Sequence, residues 1–227
     1  MLLVNYYKPT PITTTISRQN LSMSMPRLEG KVAIITGAAS GIDEVTAKLF
    51  AEHGAFVVIA DIQDELGLKV VASIGPDKAS YKYCDVRNEK QVEETVAFTI
   101  DKYGSLDIMY SNAGVMAPPC SILQMNIEEF DNTIAINLCG SVSSTLGGNG
   151  PHSYTTSKHG LLGIVRSAAS ELGKHGIGVN CVSPYAVDTP LVFNTMAKLS
   201  LDPRMFETAR SAMANLKGID LNCKHVM

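Results

Sequence analysis

From Leu28 onward, short runs of β-branched and apolar residues alternate with amphipathic stretches: KVAIIT then IDEVTAKLFAEHG, AFVVIAD then IQDELGLKVVASIG, SYKYCDV then NEKQVEETVAFTIDKYG, and then LDIMYSNAG. Apolar runs this short read as strands buried on both faces, and the intervening stretches carry helical periodicity. A strand that returns to its sheet through a helix must run parallel to the first, so the pattern predicts a parallel, doubly wound α/β sheet of the Rossmann type. Gly54, Gly75 and Gly104 stand just past the helical periodicity, where a left-handed residue closes a helix. Farther on, IEEFDNTIAIN opens a helix, YTTSKHGLLGIVRSAASELGKHG reads as one long helix ending at Gly176, and IGVNCVSP reads as a strand.

A chain of 227 residues with 45% apolar residues and a formal net charge of -3 suits one soluble globular domain. There is no basic excess for nucleic acid and no apolar run long enough to span a membrane. Cys84, Cys120, Cys139, Cys181 and Cys223 form no CxxC, which fits reduced thiols in a reducing compartment. The five histidines show no metal spacing, so no metal site is expected. Residues 1–28 contain Lys8, Arg18 and Arg27, no acid, and many Ser and Thr. That composition reads either as a disordered leader before a cytoplasmic domain or as a transit peptide to a plastid, with residues 29–227 as the single domain.

Gly37 and Gly41 lie between the first strand and the first helix, where small residues let backbone N–H groups and the positive helix end meet a pyrophosphate. Glycines also end strands for steric reasons alone. The second strand ends in Asp61, about 20 residues beyond the turn, where an acid accepts hydrogen bonds from a ribose 2′-OH. Ile62 and Gln63 follow it, so no adjacent cation is offered to a 2′-phosphate, which favours NAD over NADP. The other reading of Asp61 is a plain helix cap. Tyr154 and Lys158 share one face near a helix start, where an ammonium could bring a phenol within reach of proton transfer with an alcohol. A Tyr/Lys pair at this spacing is also what a solvated helix face looks like. Ser141 could hold a substrate oxygen or simply form a turn.

TGAASGI, Asp61, CDV at 84–86, NAG at 112–114, Asn137, Ser141, YTTSK at 154–158 and SPYAVDTP at 183–190 occur in the order seen in the short-chain dehydrogenase/reductase family, which the chain resembles from about Pro26 to Lys217. PRLEGKVAIITGAASG, LGG, GPHSYTTSKHG and ELGKHGIGVNCVSP are similar to the plant branch that oxidises secondary alcohols of terpenoids and lignans. The resemblance implies an NAD-dependent oxidoreductase of a small hydrophobic alcohol or ketone, assembled as a homo-oligomer. It makes Tyr154 the acid/base, Lys158 the group that lowers its pKa and binds the nicotinamide ribose, Ser141 the substrate orienter and Asn137 the anchor of a proton-relay water. It also gives the adenine to Asp85, the central strand's cofactor contact to Asn112, and the carboxamide to Thr189. Further cofactor contacts are implied at Ser40, Ile42, Val86, Ala113, Gly114, Pro184 and Val187.

Three departures set expectations of their own. Asp43 stands where the family's turn has glycine; the acid suits the start of a helix, but about 5 Å from a phosphate charge it would cost about 3 kcal/mol at an effective dielectric of about 20. Only LCG separates Asn137 from Ser141, where the family has the rest of a long helix and a central strand, so the 137–141 joint predicts a gap in the sheet or a makeshift strand from residues 138–146. The family continues after the lid-like segment 191–227 into another helix and a last strand, so the doubly wound sheet is expected to be incomplete at that edge too. These departures keep open an alternative, a catalytically silent member that binds cofactor weakly or serves only as an interaction partner.

Overall fold

The computed structural model describes residues 2–6, 26–117, 120–140, 151–182, 187 and 189–198. Its elements in chain order are β1 (Leu2–Tyr6), β2 (Val32–Thr36), α1 (Gly41–Glu52), β3 (Phe56–Asp61), α2 (Asp64–Ile74), β4 (Ala79–Tyr83), α3 (Glu89–Tyr103), β5 (Ile108–Ser111), α4 (Ile127–Gly140), α5 (His152–Leu172), β6 (Ile177–Cys181) and α6 (Pro190–Lys198). The strands form one six-stranded sheet in the order β4-β3-β2-β5-β1-β6.

The alternating pattern folds as its periodicity predicts. β2 pairs parallel with β3 and β5, and β3 pairs parallel with β4. The run VAII is at most 2% exposed, because helices cover both faces. On one face Ile35, Val57, Ile59 and Tyr110 pack with Ala47 and Val70. On the other, Ile34, Val58 and Ala60 meet Val92 and Val96 of α3. Gly104 and Gly176 take the left-handed conformation expected at helix ends, with φ 80° and 73°. Gly75 differs, since its ψ of 136° carries the chain out of α2 in an extended direction.

The main surprise is β1. The leader was expected to stand outside the domain, and the central slot to stay empty or to be filled from residues 138–146. Instead Leu2–Tyr6 lies between β5 and β6, antiparallel to both, with Val4 opposite Met109 on one side and Val179 on the other. Residues 138–140 end α4; residues 141–146 lie outside the described part. A parallel strand at this place would need a crossover connection, whereas a chain terminus can enter in either direction. β1 therefore satisfies backbone groups on β5 and β6 that an empty slot would leave unpaired. The sheet is mixed, with six strands among the described residues; residues 199–227, where the truncated edge was expected, lie outside the described part. No helix among the described residues is long and apolar enough to cross a membrane.

Candidate active site

β2, β3 and β5 are parallel, so their carboxyl ends open on the same edge, and the residues singled out from the sequence collect there. Gly37 and Gly41 have φ of +76° and +68°, which side chains other than glycine rarely adopt. A Cβ at Gly37 would stand 2.9 Å from the Ala113 Cα, so the turn and the NAG segment lie backbone against backbone. Thr36 Oγ1 joins them by accepting from the N–H groups of Asn112 (3.1 Å) and Ala113 (3.2 Å). Ser40 precedes α1 in extended backbone and makes no side-chain cap bond. A Cβ at Gly41 would be 3.9 Å from the Thr189 Cβ and 3.7 Å from the Pro190 Cδ, so the start of α6 closes over the turn.

Asp43 sits in the first turn of α1 but does not behave as an exposed helix-start acid. It is 7% exposed, and its Oδ1 accepts from Asn112 Nδ2 at 2.7 Å. Oδ2 lies 3.2 Å from where a Gly37 Cβ would be. Burial pushes its pKa up to about 8, against the lowering effect of the Asn112 hydrogen bond and the positive charge of Lys158. The carboxyl is therefore mostly neutral at pH 7, and the repulsion argued from the sequence applies only once it ionises.

Asp61 is 5% exposed; its Oδ2 accepts from the Ala39 N–H and its Oδ1 from the Gln63 N–H, both at 3.0 Å. The residue that caps α2 is Gln63, so Asp61 instead braces the glycine turn from the neighbouring strand. Asp85 is clamped by Arg87, whose Nη2 lies 2.5 Å from Oδ2, and this guanidinium holds the carboxyl below the usual carboxylate range. The same guanidinium donates from Nη1 to Asn132 Oδ1 on α4 at 2.8 Å. Ile42, Val86 and Gly114 are half-buried and Val187 is buried.

Tyr154 and Lys158 lie one turn apart on α5, with Lys158 Nζ 4.9 Å from the centre of the Tyr154 ring. Lys158 is 1% exposed. Among the described residues its ammonium has no hydrogen-bond partner; it faces the ring and, at longer range, Asp43 and Cys181. Burial lowers its pKa to about 7, with Asp43 acting in the opposite direction. Burial raises the Tyr154 pKa, because a desolvated phenolate loses hydration. Asn137 on α4 closes the arrangement. Its Oδ1 accepts from the Val115 N–H at 2.7 Å and its Nδ2 donates to the Val115 carbonyl at 2.9 Å and to Ser157 Oγ at 3.3 Å.

Asp43, Asn112, Lys158 and Tyr154 thus form one connected set, with Asp61 joined through the glycine turn. Ser141 and Pro184 lie outside the described residues. Reading the sequence missed Thr36, Arg87, Val115 and Ser157. Arg87 alone carried a signal, a cation two places after Asp85; the others act through backbone or through contacts distant in sequence.

A family model described as short chain dehydrogenase matches residues 31–146, and one described as enoyl-(acyl carrier protein) reductase matches residues 138–217. Short-chain dehydrogenase reductase 3b of Arabidopsis thaliana is 51% identical, with 90% of this chain and 88% of that protein covered. Momilactone A synthase of Oryza sativa subsp. japonica is 45% identical (88% and 81% covered), and (+)-borneol dehydrogenase 2 of Salvia officinalis 41% (89% and 82%). A crystal structure of levodione reductase matches with a TM-score of 0.78 at 27% identity, over 88% of each chain. With the glycine turn, the NAG segment and the Tyr154/Lys158 pair assembled at one sheet edge, the chain belongs to the short-chain dehydrogenase/reductase family.

Proposed function

We propose that this chain is an NAD-dependent dehydrogenase of hydrophobic secondary alcohols. The observation that carries the reading is Lys158, a fully buried amine without a hydrogen-bond partner among the described residues, one helical turn after Tyr154. Such an amine is held at the cost of a lowered pKa, and a sugar hydroxyl that supplies an acceptor relieves that cost. The glycine turn braced by Asp61 and Thr36 fits a pyrophosphate in shape, and Asp61 fits an adenosine ribose. Asp43 alone disagrees with that fit.

In this reading Tyr154 takes the proton of the substrate hydroxyl, and a bound NAD would supply the acceptor for the hydride lost by the carbinol carbon. Lys158, which would help hold the ribose of that cofactor, stabilises the phenolate that Tyr154 must become. Asn137 holds the segment at Val115 and the helix at Ser157 in mutual position, which sets where Tyr154 meets the substrate oxygen. Ser141 is assigned to orient that oxygen by the family motif. NAD is preferred over NADP because Ile62 and Gln63, the neighbours of Asp61, offer no cation to a 2′-phosphate. Cys84 and Cys120 are free thiols, which supports a reducing compartment, the cytoplasm or a plastid.

The named activities of momilactone A synthase and (+)-borneol dehydrogenase 2 point the substrate search toward terpenoid alcohols. The test is NADH production from NAD with (+)-borneol and a panel of monoterpenoid and steroid secondary alcohols. Turnover is expected with at least one alcohol and is lost in Tyr154→Phe; tighter binding of NADPH than of NADH at one ionic strength overturns the assignment of Asp61. A second reading, a silent member that binds a nucleotide without turnover, is supported by Asp43 and holds if NADH binds saturably while no alcohol is oxidised.

A further inference from the structure

The adenosine side and the pyrophosphate side of the crevice are built from different residues here. Asp61 ends β3 and Asp85 follows β4, with Asp61 tied to the glycine turn through the Ala39 N–H. Asp43 stands on the other side of that link, beside Gly37. Its Oδ1 is pinned by Asn112 Nδ2 at 2.7 Å, so the side chain cannot swing away without breaking that bond, and Oδ2 lies 3.2 Å from a Gly37 Cβ position. The start of α6 closes the same turn from outside through Thr189 and Pro190. The charged and titratable groups acting on Asp43 are the N-terminal ammonium, Asp61 from β3, Tyr110 from β5 and Lys158 from α5. Arg87 is already neutralised by Asp85.

We propose that Asp43 makes this crevice rank adenine ligands by what they carry beyond the ribose: an unphosphorylated nucleoside is accepted, and the affinity that a pyrophosphate would add is removed by the side chain beside the turn. The inference rests on the reading of the crevice as a nucleotide site and changes its ligand order. In a turn with glycine at this position the backbone N–H groups add affinity for phosphate. Here the side chain removes that gain, so adenosine binds as tightly as ADP-ribose and NADH or more tightly. Bulk is the main device at pH 7, since burial keeps the carboxyl mostly neutral.

Calorimetric titration of the full chain with adenosine, ADP-ribose and NADH at pH 7 tests it, using wild type, Asp43→Gly and Asp43→Asn, each first checked for a cooperative thermal transition. The expected result is a gain in NADH affinity of about a hundredfold in Asp43→Gly, adenosine affinity changing by less than about twofold, and Asp43→Asn remaining like wild type. Wild type binding NADH more than about tenfold tighter than adenosine overturns the inference and leaves the nucleotide-site reading intact. Binding of none of the three ligands by wild type or Asp43→Gly, both folded, overturns the nucleotide-site reading and the inference with it.

Discussion

The sheet has two parts made by different rules. Strands β2 to β5 are linked by helical crossovers and run parallel; β2 is buried at each of its residues, and β3 and β5 at all but one. β6 has no fully buried residue and packs on a small cluster around Leu161 and Val165. Its only strand neighbour among the described residues is β1, which comes from the far end of the chain. Local βαβ units assemble from contacts close in sequence, so the first part needs nothing from the second. The second part depends on one long-range pairing. What a sheet demands at a vacant position is a strand with free backbone groups; the direction and origin of that strand are secondary.

Deleting residues 2–6 breaks the comparison most directly. It unpairs facing edges of β5 and β6 over the registers Leu2–Asn5 and Leu2–Tyr6. At about 1 kcal/mol for each lost ladder bond the expected loss is about 5 kcal/mol or more, seen as a lower urea midpoint. Amide exchange should rise in 152–181 while Val32–Thr36 and Phe56–Asp61 keep their protection. Unchanged stability and exchange would show that β1 is not part of the sheet in solution and that the second part stands alone.

The contrast also explains what could be read from sequence. The parallel part was legible because each strand, helix and closing glycine lies beside its partner in the chain, so periodicity carries the pairing. β1 was not. LLVNY is apolar enough for a strand, but the basic, Thr-rich composition that follows it reads as a leader, and nothing local says that its partners are 108–111 and 177–181. At the site, Asp61, Asn112, Tyr154 and Lys158 were legible as residue types at motif spacings. The burial of Asp43, and with it the neutral carboxyl, was not, because desolvation is set by Asn112, Tyr110 and Lys158, which come from distant segments.

Asp43 and Lys158 act on each other electrostatically across the seam between the two parts, and their titration measures how dry that seam is. The folded pKa of Asp43 lies above its unfolded value, so the native state binds more protons, and stability falls as pH rises from about 4 to about 8. Asp43→Asn keeps the shape and removes the titration. The expected gain is up to about 4 kcal/mol at pH 7, fading as pH falls toward about 4 where both states hold a protonated acid. Urea midpoints at pH 5, pH 7 and pH 8.5 should therefore diverge between variant and wild type with rising pH. A difference that is flat across this range would mean that water reaches the carboxyl and that the seam is open.

The smallest effect is expected at the other link across the seam, where Arg87 clamps Asp85 and reaches Asn132 on α4. The side chains are 46% and 21% exposed, so solvent screens the ion pair and Arg87→Ala should cost less than about 1 kcal/mol. The sign of its pH dependence is opposite to that of Asp43. Arg87 depresses the Asp85 pKa, so the contribution is present at neutral pH and is lost as acid protonates the carboxyl below the ordinary carboxylate range, where wild type and Arg87→Ala should converge. It should also shrink in about 1 M salt, where the screening length is about 3 Å. Because the guanidinium is also the donor to Asn132, amide exchange in α4 should rise more than in α3, which is anchored by its own cap at Asn88. Equal changes in α3 and α4 would show that Arg87 serves only the parallel part, and that the two parts are joined through the buried site alone.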